Sequence, residues 1–112
     1  MSLIIQTANP QALLDSIRKA IDSGVVQTWS YDTDGDFTHT PEQWARKAWL
    51  KPHVAPGVLS LGLLGPKGGG MTTTVYGVYH GRFIEMLLTH FPQHFTHAGA
   101  SAWKDTAFDV FT

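Results

Sequence analysis

The chain has 112 residues, no cysteine and a formal net charge of −1, from eight Lys and Arg residues against nine Asp and Glu residues. The absence of cysteine excludes disulfides, thiolate nucleophiles and cysteine-ligated metal centres, and the balanced charge argues against a nucleic-acid partner. Because 43% of the residues are hydrophobic and 12% are aromatic, we expect one folded domain over residues 1–112.

The chain begins with a predicted strand and a predicted helix. An apolar run from Leu3 to Thr7 favours a short strand, and Asn9-Pro10 then supplies a helix N-cap followed by proline at the first helical position. Apolar residues recur at helical spacing behind this cap. We therefore expect a helix over residues 10–23 that ends at Gly24.

A β-hairpin is expected over residues 25–40. Asp34-Gly35 is a strong signal for a two-residue type I′ turn, because this turn needs a positive φ at both central positions. A short helix is predicted after the hairpin, with Trp44 and Trp49 on one face and Pro52 at its end.

The second half of the chain predicts a loop, two strands around a glycine-rich segment, a third helix and one further strand. In chain order, these segments are residues 51–57, 58–64, 71–79, 83–91 and 94–100. The last residues, 101–111, fit a helix or an extended segment equally well.

Hairpins joined by helices predict the α+β class, with an antiparallel sheet of four to five strands and about three helices packed mainly on one face. A ferredoxin-like arrangement is one candidate topology. The sequence contains neither a secretory signal nor the roughly 20 consecutive apolar residues that span a bilayer. We therefore expect a cytoplasmic protein without a membrane partner.

The glycine-rich segment is the first candidate for chemistry. Lys67-Gly68-Gly69-Gly70 follows an apolar strand and resembles the deviant phosphate-binding loop of some ATPases. Met71 follows the glycines where that motif carries Gly-Lys, so the lysine that would reach the phosphates is missing. In addition, a strand rather than a helix is predicted to follow. A flexible hairpin loop is the favoured interpretation, and no cofactor is expected.

Three histidines, His90, His94 and His97, are spaced by four and then three residues. On one helix face they would form a transition-metal site, but Pro92 disfavours a continuous helix. Two interpretations remain open: a metal site across a helix-to-strand corner, and a cationic cap at the helix end.

The predicted hairpin register places Ser30 opposite His39, with Asp32 diagonal to both, which are the residue types of a hydrolase triad. An exposed hairpin supplies neither an oxyanion hole nor a pocket that excludes water. Polar cross-strand pairing is therefore the favoured interpretation.

The predicted strand-to-helix junction at Tyr79-His80-Gly81-Arg82 is a candidate site for a small anionic ligand. Gly81 would let a ligand approach the backbone, the first N–H groups of the helix would be free, and His80 and Arg82 would add positive charge. Glu85 belongs to the same candidate site, although a surface ion pair with Arg82 is the alternative.

Large aromatic side chains exceed the needs of one small core, so we expect some of them to form an interface between copies of the chain. The expected interface residues are Trp44, Trp49, Trp103, Phe108 and Phe111. A net charge near zero opposes such association only weakly.

The sequence thus favours a non-catalytic binding module that forms a homodimer, because no acid–base pair, nucleophile or metal set has a diagnostic spacing. Two alternatives remain: a small enzyme or ligand sensor with an anion site near His80 and Arg82, and a metal-binding protein built on the histidine cluster.

Overall fold

The computed structural model describes residues 2–112, which form a six-stranded antiparallel sheet and two helices. The elements are β1 (Leu3–Gln6), α1 (Pro10–Asp22), β2 (Trp29–Tyr31), β3 (Phe37–His39), β4 (Trp49–Ala55), β5 (Val58–Leu64), α2 (Thr73–His90) and β6 (His97–Ala100). The α+β class and the antiparallel sheet are confirmed. The predicted numbers of strands and helices are each wrong by about one.

The strand order across the sheet is β2-β3-β4-β5-β1-β6. Without the β2–β3 hairpin, the chain runs β-α-β-β-α-β, which is the element order of ferredoxin-like folds. The hairpin extends the sheet at one edge, and β6 forms the other edge. Within residues 2–112, neither helix is long and apolar enough to cross a membrane.

The core lies between one face of the sheet and the helices. Alternate residues of β1 and β5 are apolar and fully buried: Leu3, Ile5, Leu59, Leu61 and Leu63. The predicted first helix is confirmed as α1, where the Asn9 side chain accepts a hydrogen bond from the Ala12 N–H at 3.1 Å. Leu13, Leu14 and Ile17 of α1 belong to the same cluster as the buried aromatic, leucine and methionine residues of α2.

The core also contains much of the aromatic excess. Trp29 is 1% exposed and makes edge-to-face contacts with Tyr79 and Phe83, at ring-centre distances of 5.6 and 5.0 Å. Phe37 is fully buried against Phe83. These rings join the hairpin to α2 and fix the hairpin on the sheet.

The predicted type I′ turn is wrong, because the Asp32 N–H bonds to the Asp36 carbonyl at 3.0 Å and closes a three-residue loop of residues 33–35. The Gly35 N–H bonds to the Asp32 carbonyl at 2.9 Å, and Gly35 has a φ of +83°, so a turn is followed by one left-handed residue. The register shifts by one residue, and Trp29 instead of Ser30 pairs with His39. The triad arrangement is therefore not formed.

The predicted short helix around Trp44 is also wrong. The N–H groups of Trp44 and Ala45 both bond to the Pro41 carbonyl, and the positive φ of Arg46, 59°, ends this single turn. The predicted loop over residues 51–57 is largely strand β4. Pro52 is tolerated there because β3 pairs with β4 only at Leu50, so the strand has a free side at the proline.

The predicted strand Met71–Tyr79 is wrong, because the chain is helical from Thr73 onwards. The glycine-rich segment therefore joins β5 to α2 and is not the predicted hairpin loop. Thr72 caps the helix by accepting a hydrogen bond from the Val75 N–H at 3.1 Å. The buried residues of α2 follow helical spacing from its first turn onwards: Tyr76, Tyr79, His80, Phe83, Met86 and Leu87.

Residues 101–112 form turns and one parallel bridge between Val110 and Leu64. Val110 donates to the Leu63 carbonyl at 2.9 Å and accepts from the Gly65 N–H at 2.8 Å. The buried Asp109 carboxylate accepts from the Leu63 N–H at 2.7 Å. This C-terminal segment therefore continues the sheet beside β5, beyond the end of β1.

Candidate functional site

The outer edge of β6 is the candidate functional site. Ala100 pairs with Leu3, and the Ser101 N–H bonds to the Ser2 carbonyl at 2.8 Å. Because antiparallel ladders alternate, residues 97, 99 and 101 direct their backbone groups to β1, whereas Ala98 and Ala100 direct theirs away from the sheet. This edge presents an N–H and a C=O from each alanine to solvent.

A groove of about 670 Å³ follows this edge, lined by all of β6 together with Ile4, Gln6 and Ser101. The side chains are small at its centre, and a Cβ atom on Gly99 would meet no atom within 4 Å. The strand contains neither proline nor a Lys, Arg, Asp or Glu residue. The strand therefore lacks the proline and the charged side chains with which many edge strands prevent edge-to-edge pairing.

The opposite edge of the sheet is less accessible. β2 has three residues, and its first residue, Trp29, is buried in the core. At its other end, the Tyr31 hydroxyl donates to the Asp22 carboxylate at 2.7 Å, which ties the strand to α1. β6 is thus the better template for an added strand.

The predicted anion site is not assembled, because residues 79–82 lie in the middle of α2 and expose no free helical N–H groups. His80 and Arg82 are two positions apart, so they point to nearly opposite sides of the helix. His80 is 3% exposed, whereas Arg82 is exposed.

His80 belongs to a closed hydrogen-bond network under residues 101–103. Its Nδ1 lies 2.7 Å from the Tyr76 carbonyl, so Nδ1 carries the proton and Nε2 accepts from the Ser2 hydroxyl. The Tyr76 hydroxyl donates to the Ser101 carbonyl at 3.2 Å. Burial lowers the pKa of His80. The arrangement ties Ser2 to α2 and uses both ring nitrogens of His80 in internal hydrogen bonds.

The other members of the predicted anion site lie on the exposed side of α2. Arg82 forms an ion pair with Glu85 at 3.2 Å, which is the surface pair considered as the alternative. Gly81 lies beside them in a shallow recess of about 350 Å³. The paired guanidinium leaves the recess with little attraction for an anion.

The three histidines considered as metal ligands are all exposed and lie on separate parts of the fold. His90 ends α2, His94 lies in the following turn, and His97 begins β6. Among residues 2–112, the one group of three possible ligands within mutual reach is instead Asp32, Asp34 and Asp36. The fold gives the histidine site no support.

The five aromatic residues predicted for an interface have different surroundings. Trp44 and Trp49 are half-buried, Phe108 contacts the His53 ring, and Phe111 is 7% exposed. Trp103 is 43% exposed and packs one side against Tyr76. It lies three residues after β6 and is the one ring of the five with a large free surface.

Sequence reasoning missed the backbone edge, since a strand's position in a sheet depends on all the other strands. The available signal was the run of small residues from Ala98 to Ala102, which is unusual for a strand in a protein core. Comparisons with protein-family models, with curated proteins and with solved structures find no match for this chain.

Proposed function

We propose that this chain is a non-catalytic binding module that forms a homodimer through the outer edge of β6. The observation that carries the proposal is the uncapped edge strand, with two residues whose N–H and C=O groups point to solvent. Pairing with another strand would satisfy these groups, and a second copy of the same edge is the simplest partner.

A two-fold axis through Gly99 would pair both outward-facing residues of β6, Ala98 and Ala100, with the second copy. Ala98 of one copy would face Ala100 of the other, and each of these two pairs would exchange two hydrogen bonds. The result is a continuous sheet across two copies with a self-complementary interface, as cyclic dimers require. The small side chains of β6 allow the strands to approach to the normal spacing of about 5 Å.

Trp103 supports the same interface. It follows β6 closely and keeps 43% of its surface exposed, although it packs against Tyr76 and Phe111. Aromatic rings beside an added strand are common anchors of binding energy. Trp44, Trp49, Phe108 and Phe111 are left out of this revised interface, because none of them has the exposed surface of Trp103.

Sedimentation of the Gly99→Lys and Gly99→Ala variants tests the proposal. The two Gly99 residues would face each other at the axis, so the lysine variant places like charges in contact and is expected to be monomeric at 12.3 kDa. The alanine variant, which adds one methyl group in open space, is expected to stay dimeric like the parent chain. Circular dichroism confirms that both variants remain folded.

Ala98→Pro is the second variant, because it removes one outward N–H without removing a bond to β1. It is expected to weaken the dimer, whereas Ala98→Ser keeps the N–H and the association. A parent chain that is monomeric at every concentration would contradict the proposal. So would a dimer that Gly99→Lys and Ala98→Pro leave intact.

A further inference from the structure

The loop between β2 and β3 brings three carboxylates together. One ligand atom each from Asp32, Asp34 and Asp36 lies within 4.8 Å of the others. The three-residue loop produces this arrangement, because Gly35 adopts the left-handed conformation and the chain turns sharply. The convergence of the three aspartates therefore depends on the observed loop and was not expected from the predicted two-residue turn.

The backbone of the loop is fixed from both sides. Asp32 Oδ1 accepts hydrogen bonds from the N–H groups of Asp34 and Asp36, both at 3.0 Å. From α1, Arg18 donates through Nη2 to the Gly35 carbonyl at 3.0 Å. The carboxylates therefore converge on a loop whose shape is already determined.

Asp36 is the informative member of the group. It is 6% exposed, and its Oδ1 atom is buried without a hydrogen-bond partner among residues 2–112. Burying a carboxylate without a partner is expensive, and proteins usually pair such groups or use them to coordinate a metal. The neighbouring cations do not supply the partner, since neither Arg18 nor Lys51 forms an ion pair with Asp36.

The negative charges of the loop also favour a bound cation. Burial raises the pKa of Asp36 most strongly, and the negative charge of Asp32 raises it further. Lys51 lowers this pKa by more than Asp34 raises it, and Arg18 has the smallest opposing effect. A cation placed between the three oxygens would remove this repulsion.

We propose that Asp32, Asp34 and Asp36 bind a calcium ion. Carboxylate oxygens are the ligands of hard cations, and no imidazole or thiolate joins the group, which disfavours zinc and copper. Calcium accepts an irregular set of six to eight oxygens, so water can complete its coordination, whereas magnesium demands near-ideal octahedral geometry.

The spacing also indicates a weak site. Acidic residues at alternate positions match the first three ligands of an EF-hand loop, but Phe37 and Gln43 occupy the positions of its glycine and its bidentate glutamate. The flanking elements are strands rather than helices. With three carboxylates, we expect a dissociation constant of about 10⁻⁴–10⁻³ M, as in extracellular calcium modules.

Thermal unfolding with and without calcium tests the proposal. After removal of metal with a chelator, about 10 mM calcium is expected to raise the melting temperature by about 6–11 °C, from the linkage between binding and stability. The same concentration of magnesium should produce a clearly smaller rise. Terbium(III), which replaces calcium, should luminesce when the nearby Tyr31 ring is excited.

Three variants identify the ligands. Asp36→Asn and Asp34→Asn are expected to lose the calcium response and the terbium signal, whereas Asp15→Asn, an exposed carboxylate on α1, keeps both. Without metal, Asp36→Asn should melt at or above the temperature of the parent chain, because it removes a buried charge. Asp34→Asn changes an exposed side chain and reports on the site even where Asp36→Asn folds poorly.

Three results would overturn the proposal. One is a parent chain that shows no calcium shift and no terbium luminescence. The second is an equal calcium response in Asp34→Asn and Asp15→Asn. The third, a magnesium shift as large as that of calcium, would overturn the choice of metal.

Discussion

Replacing Gly62 by alanine is expected to displace the C-terminal segment on the sheet and to destabilise the fold. Gly62 lies in β5 between Leu61 and Leu63, which face the helices, so its own Cβ position faces the other side. A Cβ atom there would lie 2.2 Å from the Phe108 carbonyl oxygen and 2.7 Å from its carbon. The obstacle is backbone, so the segment must move by about 1 Å to restore ordinary contact distances.

The cost follows from what this movement disturbs. Overpacking a filled site typically costs about 1–3 kcal/mol. Three hydrogen bonds join residues 109–110 to residues 63–65, at 2.7, 2.9 and 2.8 Å, and each contributes about 1 kcal/mol. Since part of this network can adjust, we expect Gly62→Ala to lower the free energy of unfolding by about 2–4 kcal/mol.

Urea unfolding of Gly62→Ala and Gly99→Ala provides the comparison. Both glycines lie in strands, but a Cβ atom on Gly99 meets nothing within 4 Å. Gly99→Ala should therefore be neutral or stabilising by up to about 1 kcal/mol. If the free energies of unfolding of Gly62→Ala and Gly99→Ala differ by less than about 0.5 kcal/mol, the close packing of Phe108 on β5 does not stabilise the fold.

Three further changes test other parts of the fold. Burial lowers the pKa of His80, so the unfolded chain takes up a proton at a higher pH than the folded chain does. The melting temperature should therefore be highest above about pH 6.5 and should decrease as the pH falls below that value. Arg18→Ala loses the hydrogen bond to Gly35 and the contacts with the Tyr31 and Phe37 rings, and should cost about 2 kcal/mol in urea. Thr72→Ala removes the N-cap of α2 and should cost about 1 kcal/mol in the same assay, whereas Thr72→Ser should retain most of the stability.

Local signals in the sequence were sufficient for some elements. The Asn9-Pro10 cap and the apolar spacing behind it predicted α1, and the apolar run of residues 58–64 predicted β5. In both cases, the residues that decide the structure are neighbours in the chain. The α+β class followed from these elements and the hairpin.

The hairpin register depended on partners that are distant in the sequence. Asp34-Gly35 fits a two-residue turn, but only the observed register places Trp29 and His39 together against Tyr79. Moving a strand by one residue exchanges its two faces, so core packing overrides the preference of the turn. The carboxylate cluster arises from this shifted loop and was therefore missed.

The start of α2 and the position of β6 also depend on residues that are distant in the sequence. Thr73, Thr74 and Val75 favour strands, and their helical conformation depends on the Thr72 cap and on the burial of Tyr76 and later residues. Sequence alone gives no strand order, so it could not identify β6 as an edge. The candidate interface became visible only with the complete sheet.

The position of β1 has a consequence for folding kinetics. This strand lies between β5 and β6, and its partners at Val58 and Ala100 belong to distant parts of the chain. Such contacts can form only after long loops have closed, which costs chain entropy before any apolar surface is buried. Refolding should therefore take milliseconds to seconds, slower than a helical protein of this size, and β1 is expected to dock late.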